Sequence, residues 1–323
     1  MTTRLRPNET DRARFIVNPH SAGGATGKRV DALRRSIDRY FAQADVVMTE
    51  GPGHASELAT QAVADGVGVV VAVGGDGTAS ETVAGLFDGK KPRRHGVVFT
   101  VVPAGTGSDL IKSLGMPKDL DDAVRLAAFG PDRDGDAVHH QFIDDSGSLT
   151  ERIGINVTGF GMNGDTVARA NRGSKRLGGT LTFLGATLGS LARYSAPMVD
   201  TTWTTADGGE GEWSGKLLSC FIANGSWCGG GMCVAPQGSM TDGALDLTII
   251  GDRSLRRTLA LVPHLYRGTL ASVPGVETAR ITALHAVSHE GGRAAIDIDG
   301  EQPGFLPLDV TILAKVVRLR GVW

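Results

Sequence analysis

Aromatic side chains are scarce in this chain of 323 residues, where phenylalanine, tryptophan and tyrosine together make up 5%. A surface that stacks unpaired bases needs such rings, so single-stranded nucleic acid is a poor match as a ligand. Charge points the same way, because a formal net charge of −2 offers no global basic field. No nucleic-acid partner is expected. Apolar runs are short as well, far below the ~20 residues that cross a bilayer. The opening "MTTRLRPNETDRAR" has no apolar core behind its charges, unlike a secretion signal. Cysteine is limited to Cys220, Cys228 and Cys233. An odd number argues against a disulfide framework. "CGGGMC" also lacks the Cys-x-x-Cys spacing and the nearby histidine of a zinc site. A reducing cytoplasm is the expected setting.

Glycine, by contrast, is abundant at 46 residues, scattered among strand-like segments with no collagen or linker period. Many tight turns follow from that. Hydrophobic residues at 41% and charged residues at 21% suit a globular protein with a sizeable core. The length suggests about two domains.

Strands and helices alternate through the first 130 or so residues. "RFIVN", "ADVVM", "VGVVVAV" and "GVVFTVVP" read as strands. Between them, Val30, Leu33, Ile37 and Phe41 have the spacing of one helix face, and "HASELATQAVADG" reads as a helix closed by Gly66. The continuous apolar run in "VGVVVAV" is typical of a strand covered on both faces of a parallel sheet. An open, mostly parallel Rossmann-like sheet with helices is expected there. After Gly130 the segments become short, strand-like and separated by Gly, Asp or Ser, which favours an antiparallel β-sandwich with inserted helices. The fold class is thus α/β plus mainly β. A nucleotide-binding domain is expected over 12–133, completed by the strand near 306–323, with a sandwich acceptor domain over 134–305.

Two glycine loops carry the chemistry. In "VVVAVGGDGTASETVAGL", Gly74, Gly75 and Gly77 lie between an apolar strand and a helix. Such a loop sits at the ligand edge of a parallel sheet, where inward-turned N–H groups and a helix N-terminus suit phosphate. It is no Walker A motif, and "SAGGATGKR" fails that test because Arg29 stands where Ser or Thr is needed. Asp76 would repel phosphate unless a metal stands between them, and Mg²⁺ favours carboxylate, phosphate and water oxygens. The plainer alternative is a turn aspartate that caps the helix from Ala79. The second loop, "VVPAGTGSDL", also follows an apolar strand and opens a helix, with Thr106 and Asp109 inside it. Two such loops on nearby strands can close over one polyphosphate.

At this point the chain resembles the diacylglycerol kinase catalytic-domain superfamily, which includes bacterial lipid kinases and sphingosine kinases. "NPHSAGG", "TEGPGHASELA", "GGDGT", "PAGTGSDL", "NGSWCGGGMCVAPQGSMTDGALDL" and "DGE" match its motifs in order over nearly the whole chain. The resemblance implies ATP as co-substrate, contacted by Asn18, Pro19, His20, Ser21, Ala22, Thr49, Gly75, Asp76, Gly77, Thr78, Ala79, Ser80, Glu81 and Thr106. It implies a catalytic Mg²⁺ network of Asp76, Asp109 and Asp136. It further implies Asp299 as the base that accepts the proton of the attacking hydroxyl, with Glu301 beside it. A second, structural Mg²⁺ is implied at Asp242 with the carbonyls of Ser239 and Ala244, where an Asp-Gly turn is the equal alternative. "AAIDIDGEQ" puts Asp297 and Asp299 on one face if the run is a strand; a hairpin turn is the alternative for Asp299-Gly300. Ser108 departs from the Asn that many bacterial diacylglycerol kinases carry, which weakens a specific assignment to diacylglycerol.

The expected activity is phosphoryl transfer from ATP to a lipid hydroxyl, of diacylglycerol or of a sphingoid base or ceramide, at a membrane surface. Arg169, Arg172, Lys175, Arg176 and Arg193 flank an apolar stretch suited to anionic lipid, a core-packing helix with solvated basic ends being the alternative, and "RRTLALVPHLYRG" is a weaker candidate of that kind. Helical stretches are expected at Asp165 to Arg193 and Ser254 to Leu270. A cytoplasmic protein, peripheral on the inner face of the membrane, fits this reading, and a homodimer stays open. The rivals are a kinase for a soluble acceptor, as in NAD kinase, and a catalytically silent nucleotide- or lipid-binding protein. His54 matches the family and is expected to orient the nucleotide loop. The adjacent His139 and His140 are expected at the surface.

Overall fold

A computed structural model describes residues 12–103, 109–172, 194–289 and 293–322. The chain divides into two compact units, 1–135 with 315–323, and 136–314.

The first unit is a parallel sheet with helices. Its strands are β1 (Ala13–Val17), β2 (Ala44–Met48), β3 (Val69–Gly74) and β4 (Val98–Pro103), each joined to the next through helical chain. The order is β2-β1-β3-β4, every pairing is parallel, and the end of the returning chain adds Arg318 and Leu319 beside Val98 and Phe99. Burial on both faces explains the uninterrupted apolar runs, since Val69 to Val73 and Val98 to Val102 are all buried. The helices are α1 (Val30–Tyr40), α2 (His54–Ala64), α3 (Asp76–Gly85), α4 (Asp109–Ser113) and α5 (Leu120–Phe129). Helix α1 buries Leu33, Ser36 and Ile37, the face that its spacing predicts.

The second unit is antiparallel. Its strands are β5 (Asp132–Asp144), which begins in the first unit, β6 (Leu149–Gly154), β7 (Val157–Gly161), β8 (Met198–Thr205), β9 (Glu210–Ala223) and β10 (Leu245–Gly251). β11 (Val276–Ser288), β12 (Ile296–Ile298) and β13 (Gly304–Arg320) follow, the last continuing into the first unit. Helix α6 (Met162–Arg172) follows β7, and α7 (Leu255–Leu259) and α8 (Val262–Arg267) follow β10. The described part of the stretch expected to be helical from Asp165 is α6; Lys175, Arg176 and Arg193 lie outside the described residues.

Two long strands change partners along their length, and this folds the sheet into a sandwich. The first half of β9 pairs with β8, and the second half pairs with β7 and β10. The pairing of β9 with β10 shifts register between Leu217 and Ser219. The shift inverts the alternation of faces. Leu217, Cys220 and Ile222 therefore join one core cluster, while Leu218, Phe221 and Ala223 join another. Cys220 is thus a core side chain whose thiol is pushed well above its ordinary pKa by burial. All three cysteines are free thiols.

Arg320 closes the first unit. Its guanidinium meets Asp132 at 2.5 and 3.0 Å and donates to the carbonyls of Ala127 and Ala128. Removing Arg320 leaves the largely buried Asp132 carboxylate with only the more distant Arg318, 3.9 Å away, so the cost is expected at or below the roughly 3–5 kcal/mol of a broken buried pair. Arg320→Leu is expected to lower the unfolding free energy measured in urea by about that amount, and an unchanged free energy would show that the returning strand does not depend on this contact.

Candidate active site

The carboxyl ends of the four parallel strands lie at one level, with Val17 beside Met48 and Val73, and Gly74 beside Pro103. β1 and β3 are neighbours whose connections leave in opposite directions, the place where open parallel sheets take ligands. Asn18 follows β1, and its amide Nδ2 donates to Thr78 Oγ1 at 3.2 Å. Its Oδ1 accepts from the N–H of His20 at 3.0 Å, and its carbonyl accepts from the Ser21 hydroxyl at 2.9 Å. Pro19, His20, Ser21 and Ala22 thus form a turn locked to Asn18, with Ala22 in the left-handed region at φ 52°. Gly74 is needed here, because a Cβ would stand 2.6 Å from Thr78 Oγ1.

Helix α3 opens with Asp76 and Gly77, and its acids grip the neighbouring loops. Asp76 caps α4, its two oxygens accepting from the N–H groups of Asp109 and Leu110, both at 3.0 Å. Glu81 caps α2, accepting from Gly53 N–H at 3.0 Å and Ala55 N–H at 3.3 Å. At the same corner His54 Nδ1 accepts from the Glu50 N–H at 2.9 Å, beside the buried Thr49. Thr78, Ala79 and Ser80 are buried, so the side chains of that turn face the protein. Gly75 precedes the helix and leaves its surroundings open. Thr106 and Ser108 lie outside the described residues.

Asp109 is 2% exposed and faces Lys112 Nζ at 2.8 Å, one helical turn away. Asp76 and Asp109 bring two oxygen-donor carboxylates to adjoining corners, a donor type that suits Mg²⁺. Among the described residues no three His, Cys, Asp or Glu side chains form a metal cage. Mg²⁺ commonly completes its shell with phosphate and water, so a cage is not required.

Asp136 belongs to the second unit. It is fully buried, and its Oδ2 accepts from the Gly243 N–H at 2.7 Å. Its own N–H donates to the Met240 carbonyl at 2.8 Å. Asp136 therefore fastens the Ser239–Ala244 loop. Within that loop Asp242 accepts from Ala244 N–H at 3.2 Å and pairs with Arg280 at 2.5 Å, while the Ser239 and Thr241 hydroxyls lie 3.2 Å apart.

Asp299 and Gly300 make a two-residue hairpin turn between Ile298 and Glu301, with φ 53° and 87°. Positive φ at both positions is the type I′ pattern that Asp-Gly favours. Strand β12 ends at Ile298, so Asp299 is a turn residue and shares no strand face with Asp297. The turn aims its carboxylate inward. Oδ1 accepts from the N–H groups of Asn156 and Val157 at 2.9 and 3.1 Å, and Oδ2 from that of Ile155 at 2.9 Å. Glu301 pairs with Arg152 at 2.7 Å. Asp297, half-buried, accepts from the Gly300 N–H at 2.8 Å. Burial, then the charges of Asp299 and Glu301, push the Asp297 carboxyl up to about 8, against the pull of the Gly300 hydrogen bond and Arg152.

Nothing in the sequence marks Ile155 to Val157, whose contribution is backbone N–H, nor Arg152 and Arg280, which act at long sequence separation. Lys112 was open to detection as an i,i+3 partner of Asp109. His139 and His140 correct an expectation, since both are buried. β5 directs His139 to Glu151 at 2.9 Å and His140 to the Thr158 hydroxyl at 2.6 Å. The His140 imidazole is driven down to about 3, chiefly by burial, and stays neutral.

Two family models match the chain. The diacylglycerol kinase catalytic domain matches residues 12–139, and the YegS C-terminal NAD kinase beta sandwich-like domain matches residues 156–321. A protein of Xanthomonas oryzae pv. oryzae named probable lipid kinase YegS-like is 30% identical over 293 residues, 89% of each chain. One of the same name from Pseudomonas aeruginosa is 27% identical, over 91% of this chain and 88% of its own. Among solved structures, a diacylglycerol kinase from Bacillus anthracis superposes with a TM-score of 0.68 at 16% identity, covering 97% of both chains. Yeast NADH kinase superposes at 0.51 and 11% identity, over 99% of this chain and 85% of its own. The two structures share the fold.

Asp297 yields a prediction about pH. Between its ordinary value of 3.8 and about 8, the folded protein holds a proton there that the unfolded chain has released. Stability therefore falls as pH rises through that window. The thermal midpoint is expected to drop from pH 6 to pH 9, and Asp297→Asn to flatten that slope. Equal slopes for both proteins would show that Asp297 is not the group that titrates.

Proposed function

The chain belongs to the diacylglycerol kinase catalytic-domain superfamily, and from that membership we propose that it is an ATP- and Mg²⁺-dependent kinase whose acceptor is a lipid hydroxyl. Diacylglycerol is the first acceptor to test, and a sphingoid base or ceramide the second. One observation carries the proposal: three loops at the carboxyl edge of a parallel sheet are tied to a single helix through Asp76, Thr78 and Glu81. Such an edge offers fixed N–H groups and the positive start of α3 to a polyphosphate.

Phosphoryl transfer needs mainly positioning and charge neutralisation. In this reading Asn18 and Thr78 hold the loop of Pro19 to Ala22 in place, and Gly75 and Gly77 let the backbone approach the phosphates. Asp76 and Asp109 would hold Mg²⁺, which would supply positive charge to the phosphate oxygens, and Asp136 is the third carboxylate that the family resemblance implies for that network. Asp299 would take the proton of the attacking hydroxyl, its carboxylate plane fixed by the N–H groups of Ile155, Asn156 and Val157. Glu301, balanced by Arg152, would keep the turn in register. No described helix is long and apolar enough to cross a membrane. The enzyme would meet its lipid at the bilayer surface.

The test is transfer of radiolabelled phosphate from ATP to a panel of mixed-micelle lipids, with NAD and a no-acceptor control alongside. Mg²⁺-dependent label on one lipid class is expected, and label on NAD alone would overturn the proposal. Asp299→Asn is expected to lower turnover by about 10²–10⁴ with ATP affinity unchanged; full activity would remove Asp299 as the base. Asp76→Ala is expected to abolish transfer and, with the α4 cap lost, to cost about 1–2 kcal/mol of stability.

A further inference from the structure

The segment of helices α7 and α8 concentrates exposed apolar side chains. Leu255, Leu259 and Tyr266 are 58%, 43% and 40% exposed, three of the seven large apolar side chains exposed among the described residues. Leu255 and Leu259 are four residues apart, so they share one side of α7. The segment is firmly rooted beneath them: Thr258 is buried, and Leu261 and Leu270, each 3% exposed, belong to the core cluster under β9. These leucines are therefore held in water by a packed scaffold.

The charge around them is of one sign. Arg256, Arg257 and Arg267 are exposed, and no ion pair among the described residues engages them. Elsewhere Arg39, Arg280 and Arg320 lie against carboxylates. Arg253 donates to the carbonyls of Gly251 and Gly275, and its pKa is lowered by burial and then by the nearby charge of Arg257. Asp252 is the one acid between residues 251 and 272. Exposed leucines and a tyrosine in one segment with exposed arginines that no described ion pair engages match the acyl boundary and headgroups of an anionic bilayer. Tyrosine suits that boundary because its ring is apolar and its hydroxyl polar.

We propose that the α7–α8 segment, through its exposed Leu255, Leu259 and Tyr266 and its exposed Arg256, Arg257 and Arg267, docks the second unit on an anionic phospholipid bilayer. This rests on the lipid-kinase reading, since it gives that enzyme its route to an acceptor that does not leave the membrane. Both leucines are solvent-facing, so polar replacements there leave the core intact.

The experiment is co-sedimentation of the full chain with vesicles of phosphatidylglycerol and phosphatidylcholine, against pure phosphatidylcholine, at about 0.1 M salt. The wild type is expected to sediment with the anionic vesicles and to be released by added salt. Arg256→Glu with Arg257→Glu should reduce partitioning by at least tenfold, given about fivefold for each arginine removed. Leu255→Glu with Leu259→Glu should reduce it similarly. Both double variants should keep the melting temperature and the mixed-micelle kinase activity of the wild type. Wild-type sedimentation by either double variant would overturn the proposal, as would a wild type that ignores anionic vesicles. A wild type that binds the vesicles yet labels no micellar lipid would sink the kinase reading and leave the docking face standing.

Discussion

The carboxylate of Asp76 is the contact on which the first unit's edge depends. It sits after β3 but spends its two oxygens on the first N–H groups of α4, after β4. A five-residue helix is too short to persist by its own hydrogen bonds. Charge-assisted bonds from the neighbouring corner supply what its length does not. The helical period then points Thr78 and Glu81 away from Asp76. Thr78 takes the loop after β1, and Glu81 takes the start of α2 after β2. The sheet order β2-β1-β3-β4 makes this division work, because β4 lies on one side of β3 and the other two strands on the opposite side.

The second unit uses the same device once more. Asp299 accepts three backbone N–H groups from Ile155 to Val157, and it can do so because an Asp-Gly turn rotates its side chain inward. A carboxylate fixed this way acts on its neighbours. Its charge is one of the causes, after burial, that raise Asp297 to about 8, so the carboxyl two residues away keeps its proton at neutral pH.

Much of this was legible in the sequence where one residue type has one physical use. The run from Val69 to Val73 declared a doubly covered strand, and the glycines after it declared a close approach. The Asp299-Gly300 pair declared a turn. What failed was direction. Nothing in "AVHHQF" shows that both histidines go inward, because that depends on β6 supplying Glu151 and on Thr158 of β7. The register shift in β9 is equally silent, since Leu217 to Ala223 is apolar throughout and either parity would bury it. Ala79 and Ser80, placed by resemblance beside the nucleotide, turn their side chains into the protein for the same reason: small residues suit a packed helix and a phosphate loop alike.

The loop from Ser239 to Ala244 shows how a resemblance and a fold can describe one stretch at two levels. The resemblance implies a cation held by Asp242 and two carbonyls. The fold closes the loop from both sides with groups of its own: Asp136 takes the Gly243 N–H from within, and Arg280 pairs with Asp242 from without. A cation that arrives at Asp242 must therefore compete with a guanidinium for the carboxylate, while the backbone stays fastened through Gly243. The loop's shape is set by a buried acid, and an ion there would adjust the charge of a turn that is already made.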